Sequence, residues 1–160
     1  MPQLVKGGKH AFGWSVVGAR GEIVLPPDAV KEYGFRESER LVLVPGSRTS
    51  GGFGLGQPAA LAESPIGAGL AAHPERFVDR AKAGEIIEQG SRLFGRAELR
   101  RGRIEVPTKA LEAYGIHAGD RLLVIRGSGR ALGFAVRGPI VEEAKRHPEL
   151  EVFGVPQEGR

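Results

Sequence analysis

Two runs of consecutive branched apolar residues stand out in the chain. They are Leu41–Val44 and Leu122–Ile125, and each follows a short amphipathic segment that ends at a glycine. Four apolar residues in succession are typical of a strand that is covered on both faces, as in a closed barrel or an intertwined sheet. The pattern therefore predicts the same kind of buried strand twice in one chain.

The residues around each run predict the same series of elements. A first strand leads through a glycine turn to a second, shorter strand, and a proline then opens a two-turn helix that ends at Gly34 or Gly115. The buried strand follows, and it returns through a hairpin to a fourth strand around Phe53 or 131–136. The remaining elements are first strands at 14–18 and 96–100, second strands at 23–25 and 104–106, and last helices at 65–72 and 139–146.

The two series form an internal repeat. At an offset of 81, twelve of the 36 residues from 21 to 56 are identical to those from 102 to 137. Beyond a seven-residue insertion within 56–64, the match resumes at an offset of 74. We expect copy one to span 10–78 and copy two to span 92–153, as one intertwined domain. The segment 79–91 should connect the copies and be largely helical, with a helix expected over 75–89.

Composition narrows the possible chemistry. The 160 residues include 25 glycines, 11 prolines and no cysteine, and their formal net charge is +4. Without cysteine, a disulfide framework, a thiolate zinc site, an iron–sulfur cluster and a cysteine nucleophile are excluded. The amino terminus lacks an apolar run of signal-peptide length, and no uncharged stretch is long enough to cross a bilayer. We therefore expect a cytoplasmic protein that does not associate with membranes.

The second copy resembles a known family. Its run from Gly102 to Val124 contains Gly-Arg-Ile, a hydrophobic-Pro pair, a short helix before Tyr-Gly-Ile, and Gly-Asp before a strand. This run resembles the AbrB/SpoVT/MazE family of swapped-hairpin domains, and the tandem copies resemble the MraZ arrangement. The first copy departs from the pattern at Glu22 and at Ser38-Glu39. The resemblance implies a mainly β protein with short helices (α+β), in which two units interleave into a small double-split β-barrel pseudo-dimer.

The same resemblance implies a DNA-binding transcriptional regulator, and the charge distribution can supply the contacts. Between Arg92 and Arg103, five arginines accompany one acid, Glu98, so this strip alone sums to +4. Arginines neutralise phosphates and read guanine edges in the major groove. The candidate contacts with double-stranded DNA are Arg96, Arg100, Arg101 and Arg103, with Arg20 and Lys9 from copy one. A solvated strand face is the alternative interpretation of this strip.

A second hypothesis assigns the fold a different function. The acidic short helices and the additional helices suit a protein-interaction or oligomerisation module, or an antitoxin-like protein, that has lost DNA binding. Two pseudo-dimers could also pair as a homodimer. A continuous basic groove joining the strip to Arg20 would favour DNA binding, whereas intervening acids would favour the module. For Arg40 and Arg121, local ion pairs with Glu39 and Asp120 are expected.

The sequence contains no convincing catalytic or cofactor-binding motif. His73 and His147 occupy equivalent His-Pro-Glu triplets, but one histidine per copy without a second ligand is a poor metal site. The glycine-rich run 51–56 lacks the Lys-Ser/Thr of a phosphate-binding loop. We therefore expect no enzyme activity, no cofactor and no metal.

Overall fold

The computed structural model describes residues 3–5, 9–58, 84–89, 92–126 and 131–154. The elements of the first half of the chain are β1 (Gln3–Val5), β2 (Lys9–Val16), β3 (Glu22–Val24), α1 (Pro27–Tyr33), β4 (Arg40–Pro45) and β5 (Phe53–Gly56). Those of the second half are β6 (Ile86–Gln89), β7 (Arg92–Glu98), β8 (Arg103–Glu105), α2 (Thr108–Ala113), β9 (Arg121–Arg126), β10 (Leu132–Ala135), α3 (Pro139–Ala144) and β11 (Val152–Phe153). The predicted class, mainly β with short helices, is confirmed.

Strand pairing crosses between the two copies. The main sheet runs in the order β1-β2-β9-β10-β5-β4-β7-β6, and β11 adds to β2 in parallel. The first strand of each copy therefore pairs with the third strand of the other copy, β2 with β9 and β7 with β4. The second strands, β3 and β8, form a separate antiparallel ribbon. Reading the sheet order from either end gives equivalent strands, which is the pattern of a pseudo-twofold axis between the copies.

The sheet of the described residues is open. Its order begins at β1 and ends at β6, and these two strands do not pair with each other. The expected closed barrel is therefore not found in the part of the chain that the structure describes. Long apolar runs predict strands covered on both faces, and such cover can come from packed elements as well as from closure.

The two strands formed by the apolar runs, β4 and β9, are covered on both faces, as predicted. Leu41 and Leu43 belong to the main core, whereas Val42 and Val44 pack with Phe94 on the opposite face of the sheet. In copy two, Leu122 and Val124 face the main core, and the alternate residues of β9 pack beneath α3. The period of two along a strand explains this division of neighbouring residues between clusters.

The main core joins both copies. It gathers apolar side chains from the sheet, the ribbon and the two short helices. At its centre, the rings of Phe53 and Phe134 stack with centroids 4.5 Å apart, and Tyr114 stacks on Phe53 at 5.6 Å. The buried hydroxyl of Tyr114 donates to the Leu93 carbonyl at 2.8 Å, and burial raises the pKa of this group. Neither copy could bury these rings without the other.

Different loop lengths explain the one-residue gap between the copies. In copy one, the Gly21 N–H donates to the Gly18 carbonyl and the Gly18 N–H to Glu22, which closes a three-residue loop. In copy two, Arg100 and Arg103 exchange both backbone hydrogen bonds across a two-residue turn. The offset between equivalent residues therefore falls from 82 in the first strands to 81 in the ribbon.

The strand register revises the sequence alignment in the last hairpin. Sequence identity matched Gly52 with Gly133 at an offset of 81, but the structure pairs Gly54 with Gly133 across the pseudo-twofold axis. Val44 lies opposite Gly54, and its equivalent Ile125 lies opposite Gly133, so the structural offset is 79. Copy one carries two more residues between these strands, including Gly51 and Gly52, which both have positive φ.

The connector differs from its prediction. The structure places strand β6, Ile86–Gln89, where a helix over 75–89 was expected, and β6 pairs antiparallel with β7. The two adjacent isoleucines suit a strand, and pairing with the next strand supplies the backbone hydrogen bonds that a helix would otherwise make. Residues 79–83 and the expected helix 65–72 lie outside the described residues. The other last helix, predicted over 139–146, is confirmed as α3.

Candidate nucleic-acid interface

The structure separates the five arginines of the basic strip. Arg92 begins β7, whereas Arg100, Arg101 and Arg103 lie at the turn after its other end. Eight residues of extended chain place Arg92 about 25 Å from Arg100. All four of these side chains are exposed. The strip is therefore two separate basic positions with Arg96 between them.

Arg96 does not belong to an exposed surface. Its side chain is 4% exposed, and its Nη2 donates to the Arg40 carbonyl oxygen at 3.3 Å. Burial lowers the pKa of Arg96, and the charge of Arg40 lowers it further. A side chain buried in this way is not placed to contact DNA, contrary to the prediction for Arg96.

The remaining three arginines form a compact feature, which we call the arginine tip, residues Arg100–Arg103. The backbone hydrogen bonds between Arg100 and Arg103 are 2.9 and 3.0 Å long. Arg101 and Gly102 have φ values of 54° and 77°, as a type I′ turn requires. Asparagine usually occupies the first of these positions, so Arg101 adopts a costly conformation. The carboxylate of Glu37 accepts the Arg101 N–H at 3.0 Å.

The arginine tip borders a cavity of about 610 Å³. Three guanidinium groups and two carboxylates contribute to its lining, which consists of Gly84, Glu98, Arg100, Arg101, Arg103, Ile104 and Glu105. The five charged groups sum to +1. The arrangement suits an anion that enters from solvent and contacts several arginines, as a phosphate backbone does.

The candidate residues of copy one lie elsewhere. Arg20 is exposed in the equivalent turn, where its backbone N–H donates to Glu22 Oε1 at 2.8 Å. The ribbon is antiparallel, with Gly21 bonded to Val106 at one end and Leu25 to Gly102 at the other. The two turns therefore lie at opposite ends of a ribbon about 14 Å long. Lys9 begins β2, and its side chain lies outside the described residues.

Acidic residues lie between the two turns. Glu22 and Glu105 are directly opposite each other in the ribbon, on the face away from the buried pair Ile23 and Ile104. Arg103 follows on the same face, opposite Val24. The basic surface is therefore not continuous from the arginine tip to Arg20. By the criterion set above, the interaction module gains support, and any DNA contacts are confined to the two ends of the ribbon.

Two expected local ion pairs are not formed. The Glu39 carboxylate accepts the Arg36 N–H at 2.9 Å, and the equivalent Asp120 carboxylate accepts the His117 N–H at 2.8 Å. Each acid therefore closes the turn three residues before it, which a short acidic side chain does readily. Within the described residues, no carboxylate pairs with the guanidinium of Arg40 or Arg121. The predictions of Arg40–Glu39 and Arg121–Asp120 pairs are wrong.

Sequence reasoning missed several polar contacts that join distant segments. The Glu32 carboxylate of α1 accepts two hydrogen bonds from Arg126, and the hydroxyl of Tyr33 donates to the Ala131 carbonyl at 3.2 Å. These contacts attach α1 of copy one to the β9–β10 hairpin of copy two. The hydrogen bond to Glu32 raises the pKa of Arg126. Separations of more than 90 residues leave no local signal in the sequence.

The described part of the chain contains neither a candidate metal-binding cluster nor a helix that could cross a membrane. Across the described ranges, no group of three or more histidine, aspartate and glutamate side chains could hold a metal ion. In the same part of the chain, no helix is both long and apolar enough to span a lipid bilayer. His73 and its His-Pro-Glu triplet lie outside the described residues.

Comparisons with known proteins complete the description of the site. No protein-family model, curated protein or solved structure matches this chain.

Proposed function

We propose that this chain is a DNA-binding regulator of the AbrB/SpoVT-like type, and that it binds DNA without catalysis through the arginine tip. The observation that carries this proposal is the convergence of Arg100, Arg101 and Arg103 on one exposed cavity. Three guanidinium groups in this arrangement can neutralise neighbouring phosphates, and the binding would then be strongly salt-dependent.

The pairing of the two copies supports the family assignment. In swapped-hairpin proteins, two units interleave their strands, and here the first strand of each copy pairs with the third strand of the other. The hydrogen bonds of Glu32 and Tyr33 with copy two are further contacts between the two copies. Because both units lie on one chain, a pseudo-dimer forms at a high effective concentration of its partner copy.

The ribbon supports a specific mode of binding. The major groove of B-DNA admits a two-stranded β-ribbon, and the β3–β8 ribbon is separate from the main sheet. Arg103 on its outer face can donate to guanine, and Glu22 or Glu105 can accept a hydrogen bond from the cytosine amino group. Arg100 and Arg101 then contact phosphates at one end of the ribbon, and Arg20 contacts a phosphate at the other end.

A titration of labelled genomic fragments at low salt tests the proposal by fluorescence anisotropy. The variant Arg100→Gln/Arg101→Gln/Arg103→Gln removes the tip charges without creating a buried cavity. The matched control Arg48→Gln/Arg92→Gln/Arg146→Gln removes the same charge from exposed positions elsewhere. We expect the tip variant to bind at least about tenfold more weakly than the wild type, and the control to bind within about twofold of it.

The proposal fails if the wild type binds no fragment, or if both variants weaken binding equally. Equal weakening would show a response to total charge rather than to the arginine tip. Thermal melting of each variant separates a loss of binding from a loss of folding.

A second function is favoured by the acids of the ribbon. The directly opposed Glu22 and Glu105, together with Glu37 beside the tip, suit a basic protein surface better than a polyanion. On this hypothesis the chain is a protein-interaction or oligomerisation module, including an antitoxin-like protein or a homodimer of pseudo-dimers. Purification from the native host distinguishes the two functions. Bound nucleic acid supports the first, whereas a stoichiometric protein partner with no DNA binding supports the second.

A further inference from the structure

A second cavity lies between α3 and the face of the β2–β9 pair that carries Trp14 and Leu123. Its volume is about 480 Å³, within the range of small-molecule sites. Trp14, Val141 and Leu150 form an apolar floor and belong to one packed cluster. Trp14 is the only tryptophan of the chain. The cavity therefore presents an aromatic surface that a small apolar ligand can contact.

Most charged groups around this cavity already have partners. The Lys145 ammonium contacts Glu142 at 3.2 Å, and the His147 ring bonds both Glu143 and Glu149 at 3.1 Å. The Asp120 carboxylate accepts the backbone N–H of its own turn. Each of these groups is engaged by a neighbour, so none is available to a ligand without losing an existing contact.

Arg121 is the exception in this cavity. Its side chain is exposed and lines the cavity, and no carboxylate pairs with it within the described ranges. Val16 lies opposite Arg121, and Trp14 lies two residues from Val16 along the same strand. Arg121 and Trp14 therefore occupy the same face of the sheet, within reach of each other as diagonal neighbours. The guanidinium provides a fork of donors beside an aromatic ring.

The equivalent positions of the other half hold a different pair. The register makes Arg96 the counterpart of Trp14 and Arg40 the counterpart of Arg121. Two cations replace an aromatic ring and a cation there, and Arg96 is buried. The combination of an aromatic floor with an unengaged arginine therefore distinguishes this half of the pseudo-dimer, and it supplies a matched control residue.

We propose that this cavity binds a small aromatic carboxylate. The ring of the ligand packs against Trp14 and Val141, and its carboxylate accepts two hydrogen bonds from the Arg121 guanidinium, the geometry that arginine favours. The Arg121 guanidinium selects carboxylates over amines, and the aromatic floor selects planar rings over short polar acids. Neither the ligand nor its binding depends on the DNA-binding hypothesis.

Phenylacetate tests the proposal, because it leaves tryptophan excitation at longer wavelengths unobstructed. We expect a saturable change in Trp14 fluorescence with phenylacetate, confirmed by calorimetry. The uncharged phenylacetamide and the cationic phenethylamine, which keep the ring, should each bind at least about tenfold more weakly. The variant Arg121→Gln should weaken phenylacetate binding by about tenfold, whereas Arg40→Gln should leave it unchanged.

Three results would overturn the proposal. One is the absence of saturable binding in both fluorescence and calorimetry at millimolar phenylacetate. Another is equal affinity for phenylacetate and phenylacetamide. The third is equal weakening by Arg121→Gln and Arg40→Gln in variants that melt as the wild type does.

Discussion

Two residues other than glycine have a positive φ in the described part of the chain, Ser38 at 67° and Arg101 at 54°. Arg101 lies in the arginine tip and Ser38 in the turn beside it, and Glu37, next to Ser38 in the chain, accepts the Arg101 N–H. Ser38 itself donates its backbone N–H to the Leu99 carbonyl at 2.7 Å. The least favourable backbone conformations of the molecule thus gather at its proposed binding surface, where such conformations are often found.

The repeat provides a direct measure of the strain at Ser38. Its equivalent is Gly119, which has a φ of 90° and makes the equivalent hydrogen bond to Val17. We expect Ser38→Gly to raise the free energy of unfolding by about 0.5–1 kcal/mol, because glycine adopts this conformation without the side-chain penalty. Conversely, Gly119→Ala introduces a side chain at the equivalent position and should lower the free energy of unfolding by about 1 kcal/mol. Urea unfolding measures both, and a destabilised Ser38→Gly variant would contradict the assignment.

Arg101 allows stability and binding to be separated. Replacement by asparagine introduces the preferred Asn-Gly sequence of a type I′ turn. We expect Arg101→Asn to stabilise the protein by a few tenths of a kcal/mol or more, while it weakens DNA binding through the loss of one charge. Urea unfolding and anisotropy measure the two effects. If Arg101→Asn binds DNA as the wild type does, Arg101 is not a contact.

At the residue scale, the sequence identified the basic residues but not their exposure. Arg92, Arg96 and Arg100 are separated by even numbers of residues, so a strand with alternating side chains places all three on the same face. Whether each of these side chains is buried or exposed depends on tertiary packing, which buries Arg96 and leaves Arg92 and Arg100 exposed. Similarly, the acids of the turns could pair with adjacent arginines or with the backbone, and the local hydrogen bonds prevailed.

At the scale of elements, prediction succeeded for the two short helices that follow a proline and end near a glycine. They begin after Pro26 and Pro107, and Gly34 ends the first of them with a φ of 69°. The predicted helix over 75–89 also lies between a proline and a glycine, Pro74 and Gly90, but Gly84 interrupts it, and Ile86 and Ile87 fit either period. Their pairing with β7 is a contact that apolar spacing does not reveal.

The turn after α3 should respond to pH through His147. The hydrogen bond to Glu143, followed by that to Glu149, raises the pKa of His147 above 6.5, and the Glu149 N–H and then His147 lower the pKa of Glu149 below 4.5. The histidine contribution to stability is complete below pH 6.5 and fades as the pH rises through the raised pKa. The glutamate contribution is present above pH 4.5 and is lost on acidification through the lowered pKa.

Proton NMR of the histidine rings measures this effect. We expect His147 to titrate above 6.5 and to return toward 6.5 in the variant Glu143→Gln. A His147 pKa at or below 6.5 in the wild type would show that the ring does not hold both carboxylates in solution.

At the scale of the molecule, the repeat predicted how many elements each copy has, and the registers show how the copies combine. The offset of 81 that aligns the sequences also relates the two strands of the ribbon across the pseudo-twofold axis, whereas the strands β5 and β10 are related by an offset of 79. Closure of the sheet could not be predicted from the apolar runs. Such a run indicates that a strand is buried on both faces, but it does not indicate whether a closed barrel or other packed elements bury it. The two extra residues of the β4–β5 hairpin were concealed by a chance match of Gly52 and Phe53.

The crossing of strands between copies can be tested with an introduced disulfide, because the chain has no cysteine. Glu22 and Glu105 lie directly opposite each other, at the separation that a disulfide needs. We expect Glu22→Cys/Glu105→Cys to form an intramolecular disulfide in a monomeric chain. Non-reducing gels and intact mass measure it, with Glu22→Cys/Glu112→Cys as the control that stays reduced. Disulfide-linked dimers would show that the ribbon forms between chains instead.

The central claim, that the arginine tip contacts phosphates, is tested most directly by the salt dependence of DNA binding. Each lost phosphate contact should reduce the slope of log K against log salt concentration by about 0.9. We predict this reduction for Arg100→Gln, and an unchanged slope for Arg92→Gln, which lies about 25 Å away along the strand. Identical slopes for the wild type and both variants, or no DNA binding by the wild type, would contradict the account.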